Sequence, residues 1–450
     1  MALFGKLFSG NRENRKALVI GLDGVPYTLM QRFIADGIMP NTAALVKTGT
    51  LHRMTTSIPE VSSVAWTTFM TGVNPGKHGI YGFMDLRPGT YDMFFPDFKF
   101  VKSETMWELL GKYGKRSIVV NVPSTYPARE INGLLISGFV AIDLKKATYP
   151  QSYVPLLEQM GYRLDVDATK ARESMDLFVT DLKETLKKRE EALLYFIEKE
   201  EWDLFIATIS ETDRLHHFLW AASDNPSHPY HGLFVEVYRW IDKIIGELYT
   251  RVDRDTAVFM ISDHGFTHIN KEVYINKWLE EEGYLRFDKT PPESHKDTSE
   301  GTRAFNLDPA RIYINIRGKY PKGCVNPDSE YYALRDEIRG KLYEFNVDGQ
   351  GVVKKVFYKE EIFSGPQFDL APDIVVLPNY GFDLKGAINK SSVTGRSIFT
   401  GMHTQDDALF FTNREPHTSP LPLNGEGREG VNIVDVMPAI LKTMGVEPHR

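Results

Sequence analysis

The chain has 450 residues, of which 42% are apolar and 25% charged, with a formal net charge of -7. That length exceeds one ordinary hydrophobic core and suits a large α/β domain with a smaller unit, and the composition excludes a disordered chain. The acidic balance offers no basic patch for a nucleic-acid polymer, and the single cysteine, Cys324, excludes an internal disulfide and a thiolate metal cluster. One cysteine fits a reducing compartment, so a cytoplasmic location is expected.

The N-terminus reads "MALFGKLFSGNRENRK". Its apolar part is too short for a signal peptide, and no apolar run reaches the roughly 20 residues of a membrane span. Leu3, Phe4, Leu7 and Phe8 form one apolar stripe over a basic tail, a candidate for weak contact with a membrane surface; a docked first helix is the alternative. Residues 1–16 are therefore set apart as a tail.

"KALVIGLDG" (16–24) then reads as a buried strand ending at Asp23, with Gly24 supplying the turn. "TMWELLGKYG" predicts a helix stopped by Gly114, and "KRSIVVNVP" the next strand. Residues 171–200 predict a long charged helix. "WDLFIATIS" (202–210) is a strand ending just before "ETDRLHH". "DTAVFMIS" (255–262) is another, and "APDIVVLPN" (371–379) another. Near-continuous apolar strands separated by helical patterns predict a largely parallel sheet covered on both faces. The texture changes over 291–370, which reads as a small inserted α+β unit with one helix near "YYALRDEIRGKLYEF". The core then spans 17–290 and 371–450, and "VNIVDVMPAILKTMG" closes it as an apolar helix.

Polar residues cluster just past the strand ends, where open α/β sheets place their ligands. Asp23 follows the first strand. Asp213 and His217 stand four apart, so one helical face presents both. Asp263 and His264 are neighbours in "SDHGF", and His403 stands in "GMHTQDD". Taken singly, each has an ordinary reading: Asp23 as a turn or helix cap, His217 as a surface histidine beside His216. Taken together, three carboxylates and three imidazoles at one topological edge suit zinc, manganese or iron better than calcium, and six such ligands can hold two ions. "SIPEVSSVAWTTFMTG" adds hydroxyls. Ser62 and Ser63 sit where a loop gives way to a helix, so either is a metal-activated nucleophile or a plain cap. Lys77, Arg214, Arg303 and Arg311 are candidate phosphate or leaving-group contacts, and His268 a substrate contact. Trp66 and Phe83 either stack on a nucleobase or fill the core.

From "ALVIGLDGVPYTLM" through "SSVAWTTFMTGVNPGKHGIYGF", "ETDRLHHFLW" and "SDHGF" to "PDIVVLP" and "GMHTQDDALF", the chain resembles the type I phosphodiesterase and nucleotide pyrophosphatase branch of the alkaline phosphatase superfamily. Within it, the chain is most similar to the predicted phosphohydrolase/phosphomutase group. The resemblance covers most of residues 17–445. It implies an alkaline-phosphatase-like fold and two divalent ions, usually zinc, with manganese in mutase relatives. Asp23, Asp263, His264 and the Ser62 oxygen match the ligands of one ion; Asp213, His217 and His403 match those of the other. Ser62 matches the nucleophile, a position that is often threonine in the diesterases. The activity implied is hydrolysis of a small phosphate ester, diester or nucleotide pyrophosphate favoured over monoester, through a phosphoseryl intermediate. A phosphomutase or phosphotransferase is the rival within chemistry, and a metal-containing binding protein the rival outside it. A sulfatase is disfavoured because "SSVAWT" lacks the arginine of the formylglycine pattern.

Overall fold

The computed structural model describes residues 15–414 and 430–447. The apolar stripe at Leu3, Phe4, Leu7 and Phe8 lies outside the described residues.

The strand Ala17–Leu22 is buried at every position, as its unbroken apolar run requires. It runs parallel to Leu204–Ile209 on one side and Ala257–Ile261 on the other. Ser117–Val122 continues the parallel array from Leu204–Ile209, and Gly133–Ser137 follows it. Antiparallel strands flank this block: Ala408–Thr412 beside Ala257–Ile261, Thr50–Thr55 beyond it, and the two-residue strand Thr148–Tyr149 at the far edge. With the short strand Val431–Asn432 parallel to Thr50–Thr55 at the other edge, the described residues form a nine-stranded, largely parallel sheet.

Alternation along the first strand shows how both faces are used. Leu18, Ile20 and Leu22 point into one apolar cluster, with Phe33, Leu186 and Ile241 from helices on that side. Ala17 and Val19 point into the other, with Phe69, Leu110 and Ile440. Parallel strands must be covered on both faces because their connections are themselves helices. The helix Met175–Lys199 is one of these; Val436–Thr443, which follows the last described strand, packs on the other face.

A second sheet grows out of the strand Gly265–Tyr274, which starts directly after His264. It pairs antiparallel with Gly401–Thr404, placing Phe266 opposite His403, and parallel with Gly381–Lys385.

A third, antiparallel sheet consists of Ala304–Leu307, Arg311–Ile314, Ile374–Pro378 and Val353–Tyr358, with the helix Ser329–Glu344 packed on it. This corrects one expectation. The run 371–379 is a strand, but it pairs with 311–314 and 353–358 and does not join the main sheet. An apolar run buried on both sides looks the same in either sheet; the partner strand decides its place. The third sheet thus extends past residue 370. Among the described residues, no helix is long and apolar enough to cross a membrane.

Candidate metal centre and active site

Asp23, Asp263 and His264 are delivered by strand ends, Ser62 and Asp213 by the first turns of helices, His217 by a last helical turn and His403 from within the strand Gly401–Thr404. Asp23 lies one residue past Ala17–Leu22, and Gly24 turns the chain with φ +66. A Cβ there would come within 2.8 Å of Phe266, so the turn needs glycine twice over, for its backbone angle and for space. The Gly24 amide donates to Asp263 Oδ1 at 2.9 Å and so ties two parallel strand ends together. Asp213 and His217 lie on the helix Glu211–Leu219, which follows the strand Leu204–Ile209. Ser62 is the first residue of the helix Ser62–Thr71.

The expected ligands converge. His217 Nε2 is 3.4 Å from Asp213 Oδ1, His403 Nε2 is 3.3 Å from the same oxygen, and the two imidazole nitrogens are 3.1 Å apart. Beside this triangle, His264 Nε2 lies 3.3 Å from Asp263 Oδ2 and 3.8 Å from Asp23 Oδ1. His264 is also 3.9 Å from Asp213 Oδ1, so the two groups are contiguous, and its shortest carboxylate contact is the one to Asp263. Ser62 Oγ sits 3.1 Å from His264 Nε2 and 3.5 Å from Asp23 Oδ1.

Hydrogen bonding shows that these residues fit metal ions. The Nδ1 atoms of His217, His264 and His403 contact the backbone carbonyls of Gly401, Gly265 and Glu60 at 3.3, 3.0 and 2.9 Å. A carbonyl only accepts, so each Nδ1 carries the proton and each Nε2 of a neutral ring presents a lone pair. Two lone pairs 3.1 Å apart, as in His217 and His403, repel unless a proton or a metal cation lies between them. Asp213 Oδ1 and Asp263 Oδ2 are buried without a hydrogen-bond partner among the described residues. Tetrahedral coordination at about 2.0–2.1 Å separates ligand atoms by roughly 3.3–3.4 Å, close to the spacing of the Asp213–His217–His403 triangle. The backbone acceptors behind the three histidines are the outer contacts that orient metal-binding imidazoles.

The electrostatics agree. Burial, then the neighbouring Asp263 and Asp213 charges, push the Asp23 carboxyl well above its usual range. Burial raises Asp263 to about 6. Burial opposes ionisation of Asp213 too, yet the His217 and His403 imidazoles hold its carboxyl well below the usual range. Burial drives His264 far below the ordinary imidazole value. Burial opposes charging of His403 as well, yet the Asp213 and Asp263 carboxylates raise its pKa above the ordinary imidazole value. A buried cluster of carboxylates and imidazoles is an environment that a divalent cation neutralises.

Other residues fall differently. Ser63 Oγ is buried and has no hydrogen-bond partner, so it does not touch the ligand cluster. His216, next to His217, packs into the core and bonds Gly24 O and the Tyr238 hydroxyl. Arg214 lines the cavity over the ligands: it pairs with Asp165 at 2.6 Å, approaches Asp213 Oδ2 at 3.4 Å and lies over the Phe139 ring. Lys77 is exposed on the short helix Pro75–His78 and is not part of this cavity. His268 is also elsewhere, exposed and paired with Asp224 at 3.3 Å. Arg311 is fully buried against Asp85, and Arg303 stands 3.9 Å from Glu337; neither lines the cavity.

Trp66 is fully buried, and its Nε1–H donates to Asp23 Oδ2 at 3.3 Å. Neither of its expected roles was that of a clamp on Asp23. Phe83 and Phe139 contact edge to face and wall the cavity. Phe139 carried no signal in the sequence. A second cavity of about 360 Å³ shares His217 and His403 with the first, and Phe83, Met84, Phe95 and Leu384 are among the residues that line it.

The model of the type I phosphodiesterase/nucleotide pyrophosphatase family matches residues 17–406. The chain belongs to that family. This type I phosphodiesterase family member is accordingly a phosphohydrolase, in a family of metal-dependent enzymes. Comparison with curated proteins returns no match. Among solved structures, phosphonoacetate hydrolase from Sinorhizobium meliloti 1021, in complex with phosphonoformate, is similar with a TM-score of 0.65 and 17% identity over 96% of both chains. Murine ectonucleotide pyrophosphatase/phosphodiesterase 5, as an inactive variant in complex with AMP, is similar with a TM-score of 0.56 and 16% identity over 97% of this chain and 96% of that one. At these identities the likeness concerns the fold.

Proposed function

We propose that this phosphohydrolase cleaves small phosphodiesters or nucleotide pyrophosphates, in preference to monoesters, by way of a phosphoseryl intermediate at Ser62. Two divalent ions complete the site, one held by Asp23, Asp263, His264 and Ser62, the other by Asp213, His217 and His403. The oxygen and nitrogen donor set suits zinc, with manganese the alternative. The observation that carries the reading is the position of Ser62 Oγ, 3.1 Å from His264 Nε2 and 3.5 Å from Asp23 Oδ1. The second cavity supports a diester, since it offers room beside His217 and His403 for another ester substituent.

When bound, the ions supply charge neutralisation of phosphoryl oxygens and lower the pKa of the serine hydroxyl. Ser62 gives up its proton to solvent, and its Oγ attacks phosphorus as the bond to the leaving oxygen breaks, that oxygen departing as the anion or taking a proton from solvent. Val64 and Ala65 donate back to Val61, but Ser62 itself opens the helix, where backbone amides favour a phosphoryl oxygen. Trp66 fixes the second Asp23 oxygen. Arg214, anchored by Asp165, holds a fixed positive charge beside Asp213. Phe83 and Phe139 limit the water around the reacting group. Water then attacks the phosphoseryl group, the Ser62–phosphorus bond breaks, and Ser62 regains a proton.

The test compares Ser62→Ala with Ser63→Ala in metal-loaded protein on an activated aryl phosphodiester. S62A is expected to keep its metals, by elemental analysis, and to lose roughly a thousandfold or more in turnover. S63A should stay near wild type, because that hydroxyl has no partner to lose. Acid-quenched wild type should carry a phosphoryl group on the peptide with both serines, absent in S62A. An active S62A would overturn the covalent route, and strong dependence on an added acceptor alcohol would favour phosphotransfer.

A further inference from the structure

A larger chamber lies away from the ligand cluster. Its volume is about 590 Å³, and it shares no lining residue with either cavity at the metal-ligand site. The hairpin formed by Asp85–Leu86 and Met93–Phe94 forms part of its wall, opposite residues of the third sheet and of the segment around Tyr320. The same chain segment faces both chambers: Phe83, Met84 and Phe95 line the cavity beside His217, whereas Leu86, Phe94 and Pro96 line this one.

The lining combines aromatic rings with unbalanced positive charge. Tyr81, Phe94, Phe100, Tyr313 and Tyr320 supply the rings. Arg87, Lys102, Lys319 and Lys359 face two carboxylates, Asp85 and Asp369. Buried Arg311 already answers Asp85, and Lys359 is already paired with Asp373 at 2.9 Å. That leaves Arg87, Lys102 and Lys319 against Asp369. Lys319 is the most telling of these. It is partly buried, and its Nζ donates to the backbone oxygen of Asp369 at 3.0 Å, with no carboxylate in ion-pair contact among the described residues. Burial lowers its pKa, against the opposing pull of the more distant Asp373 and Asp369 carboxylates. A partly desolvated cation with no carboxylate in direct contact costs folding free energy, and an anionic ligand offsets that cost. The cations are also set over rings: Arg87 is 5.1 Å from the Phe94 centroid, and Lys319 is 5.6 Å from that of Tyr320. An aromatic ligand can join such stacks.

We propose that this chamber is a second binding site, separate from the metal-ligand cluster, for an anionic aromatic molecule: an aryl or heteroaryl ring bearing a phosphate, phosphonate, sulfonate or carboxylate group. Its ring lies among the tyrosines and phenylalanines, and its anion meets Lys319 and Lys102.

The probe is 1-naphthylmethylphosphonate, titrated calorimetrically into the metal-loaded protein. Wild type is expected to bind two molecules per chain, one at the ligand cluster and one in the chamber. Lys102→Glu combined with Lys319→Glu should weaken the second event at least about tenfold, leaving turnover of a small aryl ester within about twofold. The uncharged 1-naphthylmethanol should bind the chamber at least about tenfold more weakly. As a direct readout on wild type, the probe should slow acylation of Lys319 and Lys102 while leaving exposed Lys47 unchanged; this decides the matter if the double variant does not fold. Unprotected Lys319, or binding in which no event responds to the charge reversal, would overturn the proposal; a single event that protects Lys319 and is weakened by the charge reversal would uphold it, with the ligand cluster not taking the probe.

Discussion

Substituting Asp263 by asparagine should have opposite effects with and without metal. In wild type, Asp263 is buried, Oδ1 accepts from Gly24, and Oδ2 has no hydrogen-bond partner. Burial raises this carboxyl from 3.8 to about 6 in the metal-free protein. Between those values the native state keeps a proton that the unfolded chain has released. The contribution of this group is therefore fully present below the unfolded value and is lost as pH rises through about 6. A shift of about 2 units at 1.36 kcal/mol each amounts to about 3 kcal/mol. Asparagine does not titrate. Its amide oxygen can still accept from Gly24, and its amide NH₂ can donate to His264 Nε2, now 3.3 Å from Oδ2. In chelator, the stability of D263N relative to wild type should therefore improve by about 2 kcal/mol between pH 4 and pH 7, the rest of the shift lying below pH 4. With divalent metal at pH 7 the order should reverse. Wild type gains about 4 kcal/mol at a metal concentration 1,000 times its Kd, and the variant, lacking one anionic ligand, gains less. Thermal melts of both proteins at matched pH, with chelator and with zinc, give the four comparisons. If chelated D263N shows no gain over wild type on going from pH 4 to pH 7, or if zinc stabilises both proteins equally, Asp263 is neither an unneutralised buried charge nor a ligand, and the reasoning fails.

Three further outcomes follow from particular contacts. Trp66→Phe keeps most of the buried ring but loses the bond to Asp23, so metal affinity measured by competition with a chelating dye should fall roughly 10- to 100-fold. Arg214→Met removes the charge between Asp165 and Asp213, and kcat/KM for an aryl phosphodiester should drop at least about tenfold, equivalent to about 1.4 kcal/mol; an unchanged value would show that Arg214 serves Asp165 alone. Lys77→Ala and His268→Ala should each leave steady-state kinetics within about threefold of wild type, because neither side chain lines the cavity over the ligands.

Much of the candidate site was readable because its signals are local. An acid directly after a buried strand, an adjacent Asp-His pair, and Asp213 and His217 four apart on a helix are short-range patterns with direct geometric meaning. Where two neighbours competed, the pattern was silent. Ser62 and Ser63 are both buried at one helix start, and only the packing of that helix against Asp23 and His264 shows which hydroxyl meets the cluster. His216 and His217 differ in the same way: one bonds Tyr238 in the core, the other faces His403. Charged residues misled for a related reason. Arg311 looked like a phosphate contact but is the buried partner of Asp85, more than two hundred residues away in sequence. Nothing in its immediate neighbours announces that pairing.

By itself, then, the sequence determined the alternation of buried strands and helices, and so the two-faced parallel sheet, because apolar periodicity follows directly from which surfaces must leave water. It also determined that acids and histidines stand at the strand ends. Only the tertiary structure decided how those ends assemble. The antiparallel pairing of 265–274 with 401–404 sets His403 beside His264, although the residues are 139 positions apart. The same kind of long-range choice put the strand 374–378 in the third sheet and buried Trp66 against Asp23. Strand partners and buried hydrogen bonds depend on residues distant in the chain, and no local pattern encodes the position of a distant partner.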